Sequence, residues 1–312
     1  MKTLLFILLL SFTVSFISGQ QNTVDSLKHE LETTKNDTLR LVLLTLLSNK
    51  YLDKKYDSVL FFAEQQLPLA QKLNYKIDEA YALDIMAESM QHLRNTRVLE
   101  TLLKGVKIVE DTHSEKNILP KKYLDMIIYW DTVFIPKDRW TAGNLRLDEL
   151  ANLYTGLGLF YGSTMENRQK QLFYYFKAKD IFMSLKDTSS LALSYMNIGD
   201  AYSNLNQLDS GLVYSKKSYD MSPKTAFEKL AGLSLELIAD IYWKKGNYSL
   251  AKEYSKQAVH TSIEHGTLLG LGYACSNLSD IFLKQGAIDS SLYYAQKAFE
   301  VSNQTNDSFF FG

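Results

Sequence analysis

Apolar residues recur in this chain with the spacing of an α-helix rather than with the alternation of a β-strand. One stripe falls at positions i, i+4, i+5, i+8 and i+9, and consists of Leu233, Leu237, Ile238, Ile241 and Tyr242. A second, shorter apolar stripe follows within residues 251–259. The two stripes predict two helices joined by a short turn.

The same pattern returns at a spacing of 40 residues. Asp200-Ala201-Tyr202, Asp240-Ile241-Tyr242 and Asp280-Ile281-Phe282 mark three copies. Two further columns hold a small residue before each Asp and a tyrosine on the second helix: Gly199, Ala239 and Ser279, and Tyr214, Tyr254 and Tyr294. A unit of this size cannot bury its own apolar face, so the units must stack on one another. The aromatic residue of each triplet is therefore expected in the core.

Turns and helix starts recur in the same register. Gly246 and Gly286 stand between the two helices of their copies, where a left-handed or tight turn is needed. Asp57, Asp209 and Asp289 precede apolar-periodic runs. Because an Asp side chain can accept hydrogen bonds from the first free N–H groups of a helix, we predict that these residues are N-caps.

These units resemble the tetratricopeptide repeat family, which has a large residue, Leu-Gly and Tyr on the first helix and Ala on the second. The matching positions are Tyr154, Leu157-Gly158 and Tyr161; Tyr195, Ile198-Gly199, Tyr202, Gly211, Ser218 and Pro223; Leu235, Ile238-Ala239, Tyr242, Ala251 and Ala258; and Cys275, Leu278-Ser279, Phe282, Ser291 and Ala298. The period of 40 exceeds the family's usual period of about 34. A column that is Phe in the family is Ser215, Ser255 and Ala295 here. The resemblance implies an all-α fold of helix-turn-helix repeats stacked into a right-handed α-solenoid.

The pattern also divides the chain. Residues 145–312 form the regular array, and residues 20–115 contain degenerate helical pairs of the same kind. Residues 116–144 break the pattern and include Trp130 and Trp140. An insertion of this length is often a functional loop on one face of an array. The alternative is an irregular helix, Lys121–Thr132, that plugs the joint between two sub-arrays.

The chain begins with the pattern of a secretory signal peptide at residues 1–19. Lys2 precedes an apolar run at 4–17, and Ser18-Gly19 supplies small residues for cleavage. The run is shorter than the roughly 20 residues that a membrane-spanning helix needs, which argues against a membrane anchor. Beyond this export signal we expect no membrane segment. With Cys275 as the lone cysteine, export without disulfides favours a bacterial periplasm or cell envelope.

The other end of the chain predicts a truncation. Residues 306–312 align with residues 266–272, where the first helix of a repeat begins. A repeat array normally closes with a polar capping helix, whereas this chain ends on Phe309-Phe310-Phe311. We therefore expect a longer parent protein, in which a C-terminal segment would be able to tether the array to the membrane.

Composition and motifs narrow the function. The 34 basic and 35 acidic residues give a net charge of −1, which predicts no electrostatic surface for nucleic acid. None of the five histidines stands in a metal-binding spacing, and the chain contains neither a phosphate-binding glycine loop nor a Gly-x-Ser-x-Gly motif. The carboxylates look scattered rather than paired in an apolar setting. We therefore expect no cofactor, no metal and no enzymatic activity.

The concave face of the solenoid is the predicted binding groove. In repeats of this family the first helix lines such a groove, and Asp200, Asp240 and Asp280 occupy equivalent positions on it. Neighbouring positions complete the candidate set: Trp243, Asn204, Lys244 and Lys284. A column of carboxylates near a tryptophan would suit a peptide or protein ligand with Lys, Arg or a free amine. The alternative is that each Asp bonds within its own repeat or simply meets solvent.

Together these features predict an exported interaction module. By resemblance, proteins with this layout are the sensory N-terminal regions of bacterial sensor histidine kinases or regulators that contain tetratricopeptide repeats. The alternative is a free-standing periplasmic scaffold or assembly factor. An apolar segment followed by a kinase or DNA-binding module in the parent protein would discriminate between the two.

Overall fold

The computed structural model describes residues 24–52, 55–128, 141–222 and 230–305. These residues form fourteen α-helices and one 3-10 turn, and no strand occurs among them, so the predicted all-α fold is confirmed. The helices are α1 (Val24–Thr33), α2 (Asp37–Tyr51), α3 (Tyr56–Leu73), α4 (Lys76–His92), α5 (Val98–Glu110), α6 (Lys121–Ile128), α7 (Ala142–Ser163), α8 (Arg168–Leu185), α9 (Thr188–Asn204), α10 (Leu208–Met221), α11 (Leu230–Lys244), α12 (Tyr248–Glu264), α13 (Leu268–Lys284) and α14 (Ile288–Thr305). Within the described ranges, no helix combines the length and apolar character needed to cross a bilayer. The predicted signal peptide and Phe309-Phe310-Phe311 lie outside these ranges.

Twelve of the helices form six pairs, each joined by a short turn: α2 with α3, α4 with α5, α7 with α8, α9 with α10, α11 with α12 and α13 with α14. Small residues stand where the two helices of a pair cross. A Cβ atom added to Gly199 would lie 2.6 Å from Ser215 Oγ and 3.0 Å from the Ser215 backbone nitrogen. Two repeats further on, Ser279 Oγ donates to the Ser291 carbonyl oxygen at 3.0 Å. The small-residue column therefore permits the close approach that the fold requires.

The stack continues across the segment that interrupts the repeat pattern. Helix α7 packs directly on α4 and α5, and a shared core there includes Leu102, Val106, Leu153 and Leu157. The intervening chain forms a 3-10 turn at Thr112–Lys116 that packs on α4, α5 and α7, and the chain then passes over α2.

Helix α6 belongs to this returning chain. Its residues Tyr123 and Ile127, with the preceding Leu119, are buried in the same core as residues of α2. The helix that we expected at Lys121–Thr132 begins at Lys121 and extends to Ile128 among the described residues. Trp130 and Trp140 lie outside them. The described part of the insertion thus covers the first helix of the first pair.

The array curves so that its first helices form the inner face. Successive first helices contact one another, α4 with α7, α9 with α11, and α11 with α13. Successive second helices are farther apart in the described residues. Residues that project from first helices between these contacts therefore share one concave surface.

Backbone conformation confirms the 40-residue period. Glu166, Asn206, Gly246 and Gly286 are spaced by 40 residues, and all four have positive φ, between 49° and 75°. Each stands in the turn between the two helices of its pair. The left-handed turns predicted at Gly246 and Gly286 are confirmed, and the same turn occurs at Asn206, since in all three copies the N–H of the next residue donates to the carbonyl oxygen five residues earlier. The turn that contains Glu166 is one residue longer, because the Asn167 N–H donates to the Tyr161 carbonyl oxygen.

The predicted N-caps are one detail that the structure corrects. Helix α3 begins at Tyr56, α10 at Leu208 and α14 at Ile288, so Asp57, Asp209 and Asp289 lie within the first turn rather than at the cap. The capping position falls two residues earlier, where Asn247 accepts a hydrogen bond from the Leu250 N–H. The aspartates remain favourable because a negative charge in the first turn opposes the positive end of the helix dipole.

The aromatic columns form the contact between the two helices of a pair. Tyr202 stacks on Tyr214 with 5.6 Å between ring centroids, and Tyr242 stacks on Tyr254 at 5.4 Å. Phe282 stacks on Tyr294 in the same way, at 5.6 Å. The aromatic residue of each triplet is therefore a packing residue, as predicted. The Asp at the start of each triplet is then the candidate for function.

Candidate functional site

The three predicted aspartates stand at equivalent positions of α9, α11 and α13, and each has a polar residue one helical turn later. Asn204 donates to Asp200 Oδ2 at 3.0 Å, and Lys244 Nζ lies 2.7 Å from Asp240 Oδ2. Residues four apart on a helix face each other, so both contacts follow from the sequence spacing. Asp200 and Asp240 therefore make contacts within their own helices, which was the alternative weighed for this column, yet both lie on the inner face.

These contacts also link neighbouring repeats. Lys244 Nζ donates to Ser203 Oγ of the preceding repeat at 2.9 Å, and Ser203 Oγ lies 3.4 Å from Asp240 Oδ2. Asn277 of the following repeat donates to Glu236 Oε1 at 2.7 Å. Side chains of α9, α11 and α13 thus form one polar network on the concave surface, which we call the acidic groove and define by Asp200, Glu236 and Asp240.

Glu236 is the member that the sequence analysis missed. It precedes Asp240 by four residues and therefore shares its face of α11. The equivalent residues of the neighbouring repeats are Met196 and Ser276, so no column marked this position. The i−4 spacing from Asp240 was the available signal.

The acidic groove disfavours its own negative charge. Burial, and then the nearby Asp240 carboxylate, raise the pKa of Glu236 to about 8. The Asp200 side chain has an open outer surface, but the concave wall around it displaces water and raises its pKa, while Lys244 and Arg168 act in the opposite direction. Because burial and mutual repulsion disfavour the ionised carboxylates, a positively charged group bound in the groove would stabilise them.

Asp280, Trp243 and Lys284 do not join this network. Lys284 Nζ lies 5.1 Å from the ring centroid of Trp243 and 4.5 Å from that of Tyr248, and the two rings pack edge to face. Lys284 is therefore held by aromatic rings through cation–π attraction rather than by Asp280. Among the described residues Asp280 makes no hydrogen bond or ion pair, and partial burial raises its pKa.

A second group of carboxylates contradicts the expectation that acidic residues are scattered. Asp78 and Asp84 of α4 interact with Asp148 and Glu149 of α7, in an apolar setting. The prediction was wrong because the two pairs are far apart in sequence and meet only through the packing of α4 on α7.

Neither group has the geometry of a metal centre. Within the part of the chain that the structure describes, no three His, Cys, Asp or Glu side chains are arranged to hold a metal ion. Cys275 is fully buried at a core position of α13, and burial raises the pKa of its thiol to about 11.

Comparison with known proteins identifies the repeats. The sequence profile of the tetratricopeptide repeat family matches residues 192–225 and 234–259, which contain two of the copies recognised above. The chain therefore contains tetratricopeptide repeats. No curated protein matches the chain in sequence.

Solved structures share the solenoid at low sequence identity. The apo form of RapI superposes with a TM-score of 0.60 at 14% identity, over 89% of each chain. BtubC from P. vanneervenii has a TM-score of 0.56 at 12% identity, over 81% of this chain and 93% of its own. A Rap protein complexed with competence and sporulation factor has a TM-score of 0.51 at 12% identity, over 94% of this chain and 83% of its own. At these identities the likeness establishes the fold alone, a solenoid of tetratricopeptide-like repeats.

Proposed function

We propose that this chain is a protein-interaction module whose acidic groove binds a peptide or protein segment carrying a basic group. The observation that carries the proposal is the concentration of Asp200, Glu236 and Asp240 on first helices, where their only ion-paired lysine among the described residues is Lys244. Charge-assisted hydrogen bonds to Lys, Arg or a free amine would compensate this excess of carboxylates. The Rap protein solved with competence and sporulation factor supports the idea that a solenoid of this kind presents a ligand-binding surface.

Selection from a displayed library of random heptapeptides tests this function. We expect enrichment of peptides with Lys or Arg, and we expect the D200N/E236Q/D240N variant to bind the selected peptides at least tenfold more weakly. The matched control is D180N/D209N/D289N, which removes three carboxylates from the second helices α8, α10 and α14. Equal loss in both variants would show that only the net charge matters, and unchanged binding by D200N/E236Q/D240N would exclude the acidic groove.

The single variant Asp280→Asn determines how far the groove extends. Because Asp280 makes no hydrogen bond or ion pair in the described residues, a ligand that reaches α13 would meet an unpaired carboxylate there. A loss of affinity would extend the site to the third copy. Unchanged affinity would limit it to α9 and α11.

We further propose that the module is exported and forms the sensory region of a bacterial envelope signalling protein, with a free-standing periplasmic scaffold as the alternative. The apolar run and small residues within residues 1–19 support export. N-terminal sequencing of the chain expressed in a bacterial host should find cleavage after Gly19, and an intact N-terminus in the cytoplasm would contradict export. The genomic sequence downstream of the Gly312 codon would distinguish a sensory region from a scaffold.

A further inference from the structure

A small cavity lies beneath the insertion, at the opposite end of the concave face from the acidic groove. It is lined by α2, α4, α7 and residues 118–127, and its volume is about 80 Å³. We call it the acidic chamber and define it by three carboxylates that line it, Asp78, Asp148 and Glu149. A volume of this size would hold several water molecules, or one small polar group.

The walls of the acidic chamber differ sharply in character. Helix α4 contributes Asp78 and Tyr81 as titratable groups, and α7 contributes Asp148 and Glu149. Helix α2 contributes only Thr45, and the covering segment contributes only aliphatic side chains, Leu119 and Ile127 among them. The described residues thus place carboxylates on one side of the cavity and an apolar roof on the other.

No described residue neutralises these carboxylates. None of the three forms an ion pair with another described residue, and the main influences that raise their pKa values are burial and other carboxylates. Burial raises the pKa of Asp78 and of Asp148 to about 7. Tyr81 does not serve as a donor to the chamber, because its hydroxyl donates to Asn49 Oδ1 at 2.7 Å.

A carboxylate oxygen of Glu149 is buried without a hydrogen-bond donor, which is independent evidence that the chamber accommodates a further group. Its residue surface is only 4% exposed, and its Oε1 atom is buried without a hydrogen bond. A buried acceptor without a donor costs roughly 1–3 kcal/mol, so such groups are rare unless a ligand or water completes them. Among the described residues the chamber therefore has no positive charge, and Asn152 is the one side-chain amide that lines it.

We propose that the acidic chamber is a second binding site, which accepts one alkylammonium or guanidinium group between Asp78, Asp148 and Glu149. The apolar roof would cover the methylene groups next to the charge. Asn152 lines both the chamber and an open groove of about 360 Å³ that carries Asp84 and Glu88, so the remainder of the ligand has a path along the concave face. This site does not depend on the function proposed for the acidic groove.

Isothermal titration of the full chain with two probes tests the proposal. The probes are spermidine and the blocked pentapeptide acetyl-Ala-Ala-Lys-Ala-Ala-amide, with norleucine replacing lysine in the control peptide. We expect saturable binding of at least one cationic probe and none of the norleucine peptide. Preference for the peptide would identify a basic side chain as the ligand, and preference for spermidine would identify a free polyamine.

Two conservative variants locate the binding. Glu149→Gln and Asp148→Asn preserve side-chain shape while removing one negative charge each, and each should weaken binding at least tenfold. Asp289→Asn, on the second helix α14 and outside both acidic regions, is the matched control and should leave affinity unchanged. Repeating the titrations in the D200N/E236Q/D240N background removes any contribution from the acidic groove. Thermal unfolding of each variant verifies folding. Wild-type affinity in Glu149→Gln, or no binding of either cationic probe, would overturn the proposal.

Discussion

Gly199 and Asp200 are adjacent in the chain, but Gly199 packs against the second helix of its pair whereas Asp200 faces the concave surface. Gly199 must be small because the backbone of α10 approaches it closely, with the Gly211 carbonyl oxygen 3.2 Å from the position of an added Cβ. Asp200 projects to the inner face, where it accepts a hydrogen bond from Asn204. The sequence predicted both roles, because in each of the three copies a small packing residue directly precedes the Asp of the inner face.

Gly199→Ala should therefore destabilise the protein although alanine is the better helix former. The new methyl group would meet backbone atoms that cannot rotate away, and overpacking of this kind costs about 1–3 kcal/mol. Higher helix propensity returns about 1 kcal/mol of that cost. Urea denaturation should give a lower midpoint for Gly199→Ala than for the wild type.

Gly143→Ala is the control for this substitution. Gly143 lies in the first turn of α7, and the nearest atoms to an added Cβ, those of Glu115, are 3.5 Å or more away. Its midpoint should be unchanged or slightly higher. A stable Gly199→Ala protein would show that the two helices of the pair can separate without cost.

At the scale of elements, the turns between paired helices show which structural features the repeat pattern predicts and which it does not. Glycine marked the left-handed position in two copies, and Asn206 occupies it in a third, where asparagine is the next most tolerated residue. Glu166 also has a positive φ, although no turn preference singles out a glutamate. The 40-residue register connects Asn206, Gly246 and Gly286, whereas the turn at Glu166 has one more residue. The N-caps were misplaced for a related reason: aspartate is favoured both at the cap and within the first turn, so its presence does not fix where a helix begins.

The positive φ angles of Glu166 and Gly286 predict opposite effects for two substitutions. Left-handed backbone costs a residue with a side chain roughly 1–2 kcal/mol, and glycine avoids this cost but gains entropy in the unfolded chain. Glu166→Gly should raise the free energy of unfolding by about 0.5–1 kcal/mol, and Gly286→Ala should lower it by about 1 kcal/mol. Urea denaturation of both variants measures this. Changes of the same sign would contradict left-handed backbone at both positions.

At the scale of the whole molecule, the two acidic regions differ in how far the sequence could predict them. The groove aspartates lie on a column because α9, α11 and α13 are regular copies. The acidic chamber has no column, because its carboxylates come from two helices separated by the insertion, and because that insertion folds back as the roof. Long-range packing of an irregular segment leaves no periodic trace, so Asp78, Asp148 and Glu149 appeared unrelated.

The acidic chamber makes the stability of the whole chain depend on pH in an unusual direction. Burial raises the pKa of Asp78 and Asp148 to about 7 and that of Asp84 to about 8, whereas the same groups in an unfolded chain titrate near 4. Between these limits the folded protein retains protons that the unfolded chain has released. The free energy of unfolding should therefore fall as pH rises from about 5 to 8, the reverse of ordinary acid denaturation.

Thermal unfolding at pH 5 and at pH 8 checks this dependence. Each group contributes at most about 1.4 kcal/mol per pH unit, so we expect a loss of several kcal/mol and a melting temperature at least about 5 °C lower at pH 8. Asp78→Asn combined with Glu149→Gln removes two of the buried charges and should flatten the dependence, making the variant more stable than the wild type at pH 8. Asp289→Asn, on the outer helix α14, should retain the wild-type profile. Stability that is constant or rises between pH 5 and 8 would show that these carboxylates are ionised at little cost, and that a cation or water already compensates them in the folded chain.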